Sequence, residues 1–289
     1  MSFVIQGKRL IVLNLLNRIL HYTTGLRVDA PVLYETIRLL FKIKQYLLLG
    51  KNEMVAMFGA TAFGALWQPI SIGVIVGGVG IVFGALFNME TKTYVPFFCI
   101  SIILWQYLSQ ALCEISGIFS RPGGPYYHFE YQRLILFPMT AIAKFSYMLF
   151  LNLTVFVGVA VVFQMEFQAI QIVFTVYGLI LFIGFTFYTA IIFSIIGSRY
   201  SDYPNIITNI LQIFFYLTPV MWMPRSMPHK WVYEYNPIYY LLEMVRGPLL
   251  ENSIDYRLYL FATILLFFVF IIALLLWSIF SWRVNYHSK

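Results

Sequence analysis

Six long apolar segments with very few charges limit the possible folds of this chain more than any other feature. They lie at about residues 66–87, 95–117, 138–163, 169–196, 203–223 and 256–282. About 20 apolar residues in a helix cross a hydrocarbon core roughly 30 Å thick, and lipid offers no hydrogen-bond partner to an open backbone. Charged residues make up 11% of the chain, against roughly 25% in a soluble domain. The sequence therefore predicts an all-α membrane protein with six transmembrane helices.

The distribution of basic residues predicts the orientation of these helices. With both termini in the cytoplasm, most of the 19 lysines and arginines lie on the inner side, as the positive-inside rule requires. The five on the outer side are Lys92, Arg225, Lys230, Arg246 and Arg257. The reverse topology would invert this bias.

The chain divides into an N-terminal cytoplasmic region, residues 1–60, and a transmembrane domain, residues 61–289. The N-terminal region ends in an amphipathic segment, Val32 to Leu49, with Arg38, Lys42 and Gln45 on its wet side. A basic amphipathic helix ahead of the first span is typical of a segment lying flat on an anionic cytoplasmic leaflet. Docking of a partner protein is a compatible alternative.

The fifth apolar segment carries a row of polar residues. Asn205, Asn209, Gln212, Tyr216 and Pro219 recur at spacings of four, three, four and three, which places them on one face of a helix. Amides on a membrane helix face protein or water, because lipid cannot pair with them. From spacing alone, the row is either a helix-packing face or the wall of a path for a polar substrate.

A row of small residues marks the first apolar segment. Gly73, Gly77, Gly80 and Gly84 follow one another at spacings of four, three and four. Small residues on one face let another helix approach closely, so this row predicts helix packing. The pattern does not favour a phosphate-binding role, because no lysine and serine or threonine follow as a P-loop requires.

Two segments outside the spans have the composition of contact surfaces. The inner loop 118–137 combines Pro122 to Pro125 with a tyrosine-rich stretch, which favours a protein contact over a solvated turn. In the outer segment 224–256, Asn236-Pro237 begins a short amphipathic piece that is too short to span and is therefore interfacial or re-entrant. Its aromatic residues suit the headgroup level.

Several kinds of chemistry are missing. The sequence has no G-x-x-x-x-G-K-S/T, G-x-S-x-G or H-E-x-x-H motif, and the centres of the spans are nearly uncharged. Cys99 and Cys113 lie in one predicted helix, about 21 Å apart, too far for a disulfide. We expect no catalytic residue, no metal site and no ATP site, so any uphill transport takes its energy from elsewhere.

The order of these parts resembles a known family. Gly64-Ala-Leu-Trp67-Gln-Pro69-Ile-Ser71 opens the first span and Trp105-Gln-Tyr lies in the second. Leu136-Phe-Pro138, Arg199-Tyr-Ser-Asp202, Tyr216-Leu-Thr-Pro219-Val-Met-Trp222 and Asn236-Pro237 follow in that order. From about residue 50 to 289, the chain resembles the type 2 ABC export permeases, specifically the exporters of polysaccharides such as O-antigen, capsule or teichoic acid. It departs from them in residues 1–30, which precede the family's usual start, and in the Pro122–Pro125 loop.

The resemblance implies a homodimer with two copies of a separate P-loop ATPase subunit. That partner would bind ATP and Mg, and this chain would bind no cofactor and would have no enzymatic activity of its own. The location implied is the cytoplasmic membrane of a bacterium, with no nucleic-acid partner. The implied ATPase contacts are residues 32–53 and 118–137, among them Arg38, Lys42, Tyr127, Glu130 and Arg133.

The resemblance also implies roles for the spans. Spans one and five would line the path between protomers, with Asn205, Asn209, Gln212, Phe215, Tyr216 and Trp222 in contact with substrate. Gly73, Gly77, Gly80 and Gly84 would form a packing or dimer face. Short helices after span five would form an outer gate that includes Asn236, Pro237, Tyr239 and Tyr240.

The expected function is outward movement of a lipid-linked glycan, with Arg199 and Asp202 at the inner mouth. These two residues are expected to pair with each other or to meet a phosphorylated lipid carrier. The nearest alternative is a type 2 exporter of drugs or lipids. A membrane-embedded glycosyl- or acyltransferase would need His, Asp or Glu clustered at one membrane face, and a non-transporting scaffold would not copurify with an ATPase.

Overall fold

The computed structural model describes residues 43–59, 61–86, 89–120, 134–224, 231–251 and 254–286. Within these ranges the chain is helical and has no strands. The first 42 residues, and with them most of the amphipathic segment, lie outside the described residues. The helices are α1 (Ile43–Phe58), α2 (Trp67–Leu86), α3 (Thr91–Ser116), α4 (Leu136–Val162), α5 (Ala169–Gly197), α6 (Tyr203–Leu217), α7 (Trp231–Glu234), α8 (Pro237–Leu250) and α9 (Tyr256–Tyr286).

Five helices in the described part of the chain are long and apolar enough to cross a membrane. They are α2 with the 3₁₀ turn before it, α3, α4, α5 and α9 as far as Ile279. The chain is therefore a multi-pass membrane protein.

The predicted fifth span is shorter in the structure than in the sequence analysis. Helix α6 has 15 residues and ends at Leu217, not near residue 223. At 1.5 Å per residue it is about 22 Å long, less than the roughly 30 Å of a hydrocarbon core. Thr218 adopts extended backbone geometry before Pro219, as steric contact with a proline ring favours, and the helix stops there.

Helix α3 is the centre of the bundle. Inside the protein, 83% of its most apolar 18-residue window is buried, against 22% for α2 and 17% for α9. It packs against α2, α4, α5 and α6, while α9 lies on the outside of α5. Membrane helices with such open apolar surfaces face lipid or another protein chain.

The first described helix, α1, is attached to α4 along one face. Tyr46, Gly50, Met54 and Phe58 are buried at intervals of four residues, which is one side of a helix. Gly50 permits the contact, because a Cβ built on it would lie 2.6 Å from the backbone nitrogen of Lys144.

A buried lysine joins three helices near this contact. Lys144 of α4 is 7% exposed, forms an ion pair with Glu114 of α3, and lies 4.0 Å from a carboxylate oxygen of Glu53 on α1. The Lys144 side chain is 9% exposed, while that of Glu114 is 37% exposed and reaches solvent. Glu114 supplies the opposite charge that a mostly buried ammonium needs.

Candidate functional site

The polar row of α6 lies on a side that no other described part of the chain covers. Asn205, Asn209 and Gln212 are exposed, and their side-chain amides make no hydrogen bond to any described residue. Tyr216, in the same row, is 64% exposed. The helix buries Ile207 and Leu211, which lie on the opposite side.

Helix α6 has a third, apolar side. Ile206, Ile210 and Ile213 are 49%, 42% and 60% exposed, and their mean direction lies about a quarter of a turn from that of the amides. The helix therefore presents a buried side to α3, an open amide side, and an open apolar side next to it. The amides are not held in dry contacts within the described part of a single subunit.

Two of the expected path aromatics pack inside the chain. The half-buried ring of Phe215 lies 5.5 Å from that of Trp105 on α3, measured between centroids. Trp222 donates from Nε1 to the carbonyl oxygen of Tyr216 over 3.1 Å, and its ring lies 6.2 Å from that of Tyr233. Neither ring lies among the amides as Tyr216 does.

The residues expected at the inner mouth do not pair with each other. Arg199 and Asp202 are both exposed in the turn before α6, and no ion pair within 4 Å joins them. The Arg199 guanidinium carbon lies 5.7 Å from the centre of the Tyr200 ring instead. The expectation of an internal pair is wrong, and both charges are open to an external partner.

The glycine row of α2 divides into two parts. Gly80 and Gly84 are buried, and a Cβ built on them would meet Val95 at 3.4 Å and Tyr94 at 3.5 Å, both on α3. A Cβ built on Gly73 or Gly77 would meet nothing within 4 Å among the described residues. The half of the row with Gly80 and Gly84 thus packs within the chain, and the half with Gly73 and Gly77 meets no described residue.

The expected gate residues surround the start of α8. Asn236 is buried and caps this helix, since its Oδ1 accepts from the backbone nitrogen of Ile238 over 3.0 Å. Its Nδ2 donates to Oγ1 of Thr218 over 2.7 Å. Pro237 is exposed, Tyr239 is half-buried, and the Tyr240 hydroxyl donates to the Glu234 carbonyl oxygen over 2.9 Å.

A buried arginine behind this gate was missed by the sequence analysis, which assigned it only to the outer side. Arg246 of α8 is 1% exposed. Its Nε donates to Oε2 of Glu243 over 2.6 Å, and its Nη1 donates to Oγ of Ser101 over 3.1 Å and to the carbonyl oxygen of Pro219 over 2.5 Å. The guanidinium also lies 4.7 Å from the centre of the Phe97 ring. A Glu–Arg pair three residues apart in a short apolar helix was the available signal.

These contacts hold the turn in which α6 ends. The turn leaves backbone carbonyls without helical partners. Arg246 donates to the carbonyl of Pro219, and the Tyr94 hydroxyl donates to that of Met221. Helix α8 itself is held against α5, where a Cβ built on Gly178 would lie 2.5 Å from the carbonyl oxygen of Met244.

The expected ATPase-contact residues Arg38, Lys42, Tyr127, Glu130 and Arg133 lie outside the described residues. On α1, Glu53 has a pKa raised above its ordinary value. Burial raises it, and Lys144 lowers it by less. Among the described residues, no three His, Cys, Asp or Glu side chains are grouped so as to hold a metal ion.

Comparison with known proteins identifies the family. A family model described as ABC-2 type transporter matches residues 44–250, from α1 to the end of α8. The chain belongs to the ABC-2 type transporter family. It is therefore the membrane subunit of an ABC transporter, a component that typically lacks an ATPase site and whose family implies partnership with an ATPase subunit. The search among curated proteins found no match.

Proposed function

We propose that this ABC-2 permease moves a lipid-linked polysaccharide of the O-antigen, capsule or teichoic-acid type across the cytoplasmic membrane of a bacterium. Two copies of a separate P-loop ATPase subunit, holding ATP and Mg, supply the energy. The observation that carries this proposal is the amide side of α6, whose side chains have no partner in the described part of the chain.

The chemistry of that side favours a glycan over a drug or a lipid. An amide both donates and accepts hydrogen bonds, which matches a sugar hydroxyl. Asn205, Asn209 and Gln212 repeat this function along about two turns, with the open phenol ring of Tyr216 at the end. An apolar substrate offers no hydrogen-bond partners to these side-chain amides, and lipid would leave them unpaired.

A homodimer would enclose this side. Helices α2 and α6 both pack on α3, and each leaves a surface open, at Gly73 and Gly77 on α2 and at the amides on α6. In the proposal, two copies of these helices line a wet path between protomers. Arg199 and Asp202 stand at its inner mouth, where a phosphorylated lipid carrier would arrive.

The proposed motor acts through the cytoplasmic end. Arg38, Lys42, Tyr127, Glu130 and Arg133 are the proposed ATPase contacts, and both termini are cytoplasmic. Helix α1 is bound to α4 at Gly50 and joined to α3 through Lys144. A displacement of α1 would therefore reach α3, on which both path helices pack. The α7–α8 segment, with Asn236, Pro237, Tyr239 and Tyr240, is the proposed outer gate.

The experiment replaces the amides and spares the fold. We expect Asn209→Leu with Gln212→Leu to lower surface glycan by about tenfold, which corresponds to roughly 1.4 kcal/mol in the rate-limiting step. The matched control is Ile210→Leu with Ile213→Leu, on the open apolar side of the same helix. Copurification with the ATPase subunit checks assembly. Unchanged surface glycan from the assembled double variant would overturn the path assignment.

A further inference from the structure

A cavity of about 280 Å³ lies where the start of α3, the α4–α5 connection, the turn after α6 and the end of α8 come together. The proposed topology puts this end of the bundle outside. The volume is just below the range of roughly 300–1,000 Å³ for sites that hold drug-sized ligands, so it suits a single small ring. Lys92, Phe97, Glu243 and Arg246 are part of its lining.

The buried guanidinium in this lining has unused hydrogen-bonding capacity. Arginine carries five N–H donors. The Nε and Nη1 groups of Arg246 donate to Glu243, Ser101 and Pro219, while Nη2 has no hydrogen-bond partner among the described residues. A buried donor without a partner is unfavourable, so an acceptor from a ligand would gain by pairing with it.

The neighbouring charges exclude a site built for an anion. Lys92 and Arg246 are balanced by Glu243 and Glu251, so the formal charge of the lining is zero. Glu243 uses Oε2 for Arg246, and its Oε1 makes no hydrogen bond to a described residue. Both residues line the cavity, and a free acceptor with a free donor in one lining suits a hydroxyl group, which both accepts and donates.

Apart from Thr93, the rest of the lining is apolar. Phe97, Met165 and Leu250 present carbon and sulfur surface to the cavity, and the carbon–hydrogen face of a sugar ring packs against such surface. Because Nη2 is buried, a lining side chain must move for a ligand to reach it. Met165 and Met223 have flexible thioether chains that permit this.

We propose that this cavity binds one neutral, hydroxylated ring, a sugar residue, through Nη2 of Arg246 and Oε1 of Glu243. The identity of the sugar as part of the transported glycan rests on the proposed function. The same guanidinium holds the carbonyl of Pro219. A sugar bound in the cavity therefore contacts the same arginine that holds the turn after α6. Its binding would affect the position of the outer end of α6.

The test measures binding of methyl glycosides of glucose and N-acetylglucosamine to the detergent-purified complex with its ATPase, by saturation-transfer NMR. We expect Leu250→Trp, which fills the cavity, to abolish the glycoside signal. Leu249→Trp is the matched control, since this neighbour is also half-buried and is not part of the lining, and it should keep the signal. Arg246→Lys keeps the charge and loses the forked donor, and should weaken binding by about tenfold or more.

Three outcomes would overturn the assignment. They are an equal signal in the Leu250→Trp variant, binding of inorganic phosphate in place of the glycosides, and displacement of the glycosides by equal concentrations of glycerol. The last result would assign the cavity to lipid headgroups. Binding is measured without transport, so a failure here is distinct from failure of the export proposal, which is read from surface glycan.

Discussion

Two polar regions lie on either side of the residue at which α6 ends, and they have opposite surroundings. Before Leu217 in the sequence, the side-chain amides of Asn209 and Gln212 are exposed and make no hydrogen bond within the described part of the chain. Beyond it, Arg246 and Asn236 are buried and bonded to the turn. In a membrane protein, the polar side chains that stabilise the fold form hydrogen bonds within the chain. The polar side chains that form none are the candidates for contact with substrate.

The difference also separates the energetic roles of the two regions. Buried polar groups are expensive to leave unpaired, so each bond of Arg246 contributes to stability. Open amides on α6 contribute little to the fold, because removing them leaves no buried partner behind. Substitutions of Arg246 should therefore lower the stability of the fold, whereas substitutions of the α6 amides should lower transport.

The largest effect on stability is expected at the arginine. Arg246→Ala leaves Glu243, Ser101 and the Pro219 carbonyl without their donor, and should cost about 3–5 kcal/mol. Thermal unfolding of the detergent-solubilised complex measures this loss. Arg257→Ala, at an exposed position on α9, is the control and should unfold with the wild type. Equal unfolding temperatures for both variants would show that the buried cluster does not hold the turn.

A smaller loss is expected at the cap of α8. Asn236→Ala removes the cap and the bond to Thr218, and should cost about 1–2 kcal/mol. Asn236→Ser keeps a capping oxygen and loses the reach to Thr218, so its unfolding temperature should fall between those of Asn236→Ala and the wild type. If the serine variant is as unstable as the alanine variant, the bond to Thr218 is the main contribution of Asn236.

A still smaller, pH-dependent effect is expected at Glu53. Its pKa in the folded protein is raised from 4.5, chiefly by burial, so the folded state binds the proton more tightly than the unfolded state. This contribution to stability is fully present below pH 4.5 and is lost as the pH rises through the folded pKa. Glu53→Gln should therefore gain stability relative to the wild type between pH 4 and pH 8.

The side chain of Glu53 is 53% exposed, so solvent keeps the effect small. Thermal unfolding at the two pH values provides the measurement. Glu166→Gln, at an exposed position between α4 and α5, is the control. A pH-independent difference between Glu53→Gln and the wild type would contradict the burial argument.

The smallest effect on stability is expected from Asn209→Leu with Gln212→Leu. Both side chains are open and unpaired, so unfolding should stay within about 0.5 kcal/mol of the wild type. The same thermal unfolding assay applies, with Ile210→Leu and Ile213→Leu as the control. A clear loss of stability in the amide variant would show that these residues stabilise the fold, and the α6 amides would then not differ from Arg246 in this respect.

The long helices were predictable because each apolar segment must cover its own backbone in lipid. The common face of the α6 amides also followed from their spacing, since three- and four-residue intervals place side chains on one side of any helix. Spacing alone did not say whether this face is packed or open. The end of α6 did not, because the apolar run continues through Val220 and Met221 while Pro219 already stops the helix. The burial of Arg246 and Lys144 depends on partners on α3, far away in the sequence.

The central claim is that the amide side of α6 borders water and its apolar side does not. Single cysteines at Gln212 and Ile210, in a Cys99→Ala and Cys113→Ala background, test it in native membranes with a water-soluble maleimide. These two positions are exposed in the chain and lie two residues apart, on nearly opposite sides of the helix, so their surroundings in the assembled membrane complex decide the result, and thiols react as thiolates in water. The account predicts rapid labelling of Gln212→Cys and none of Ile210→Cys. Equal labelling of both, or labelling of Ile210→Cys alone, would contradict it.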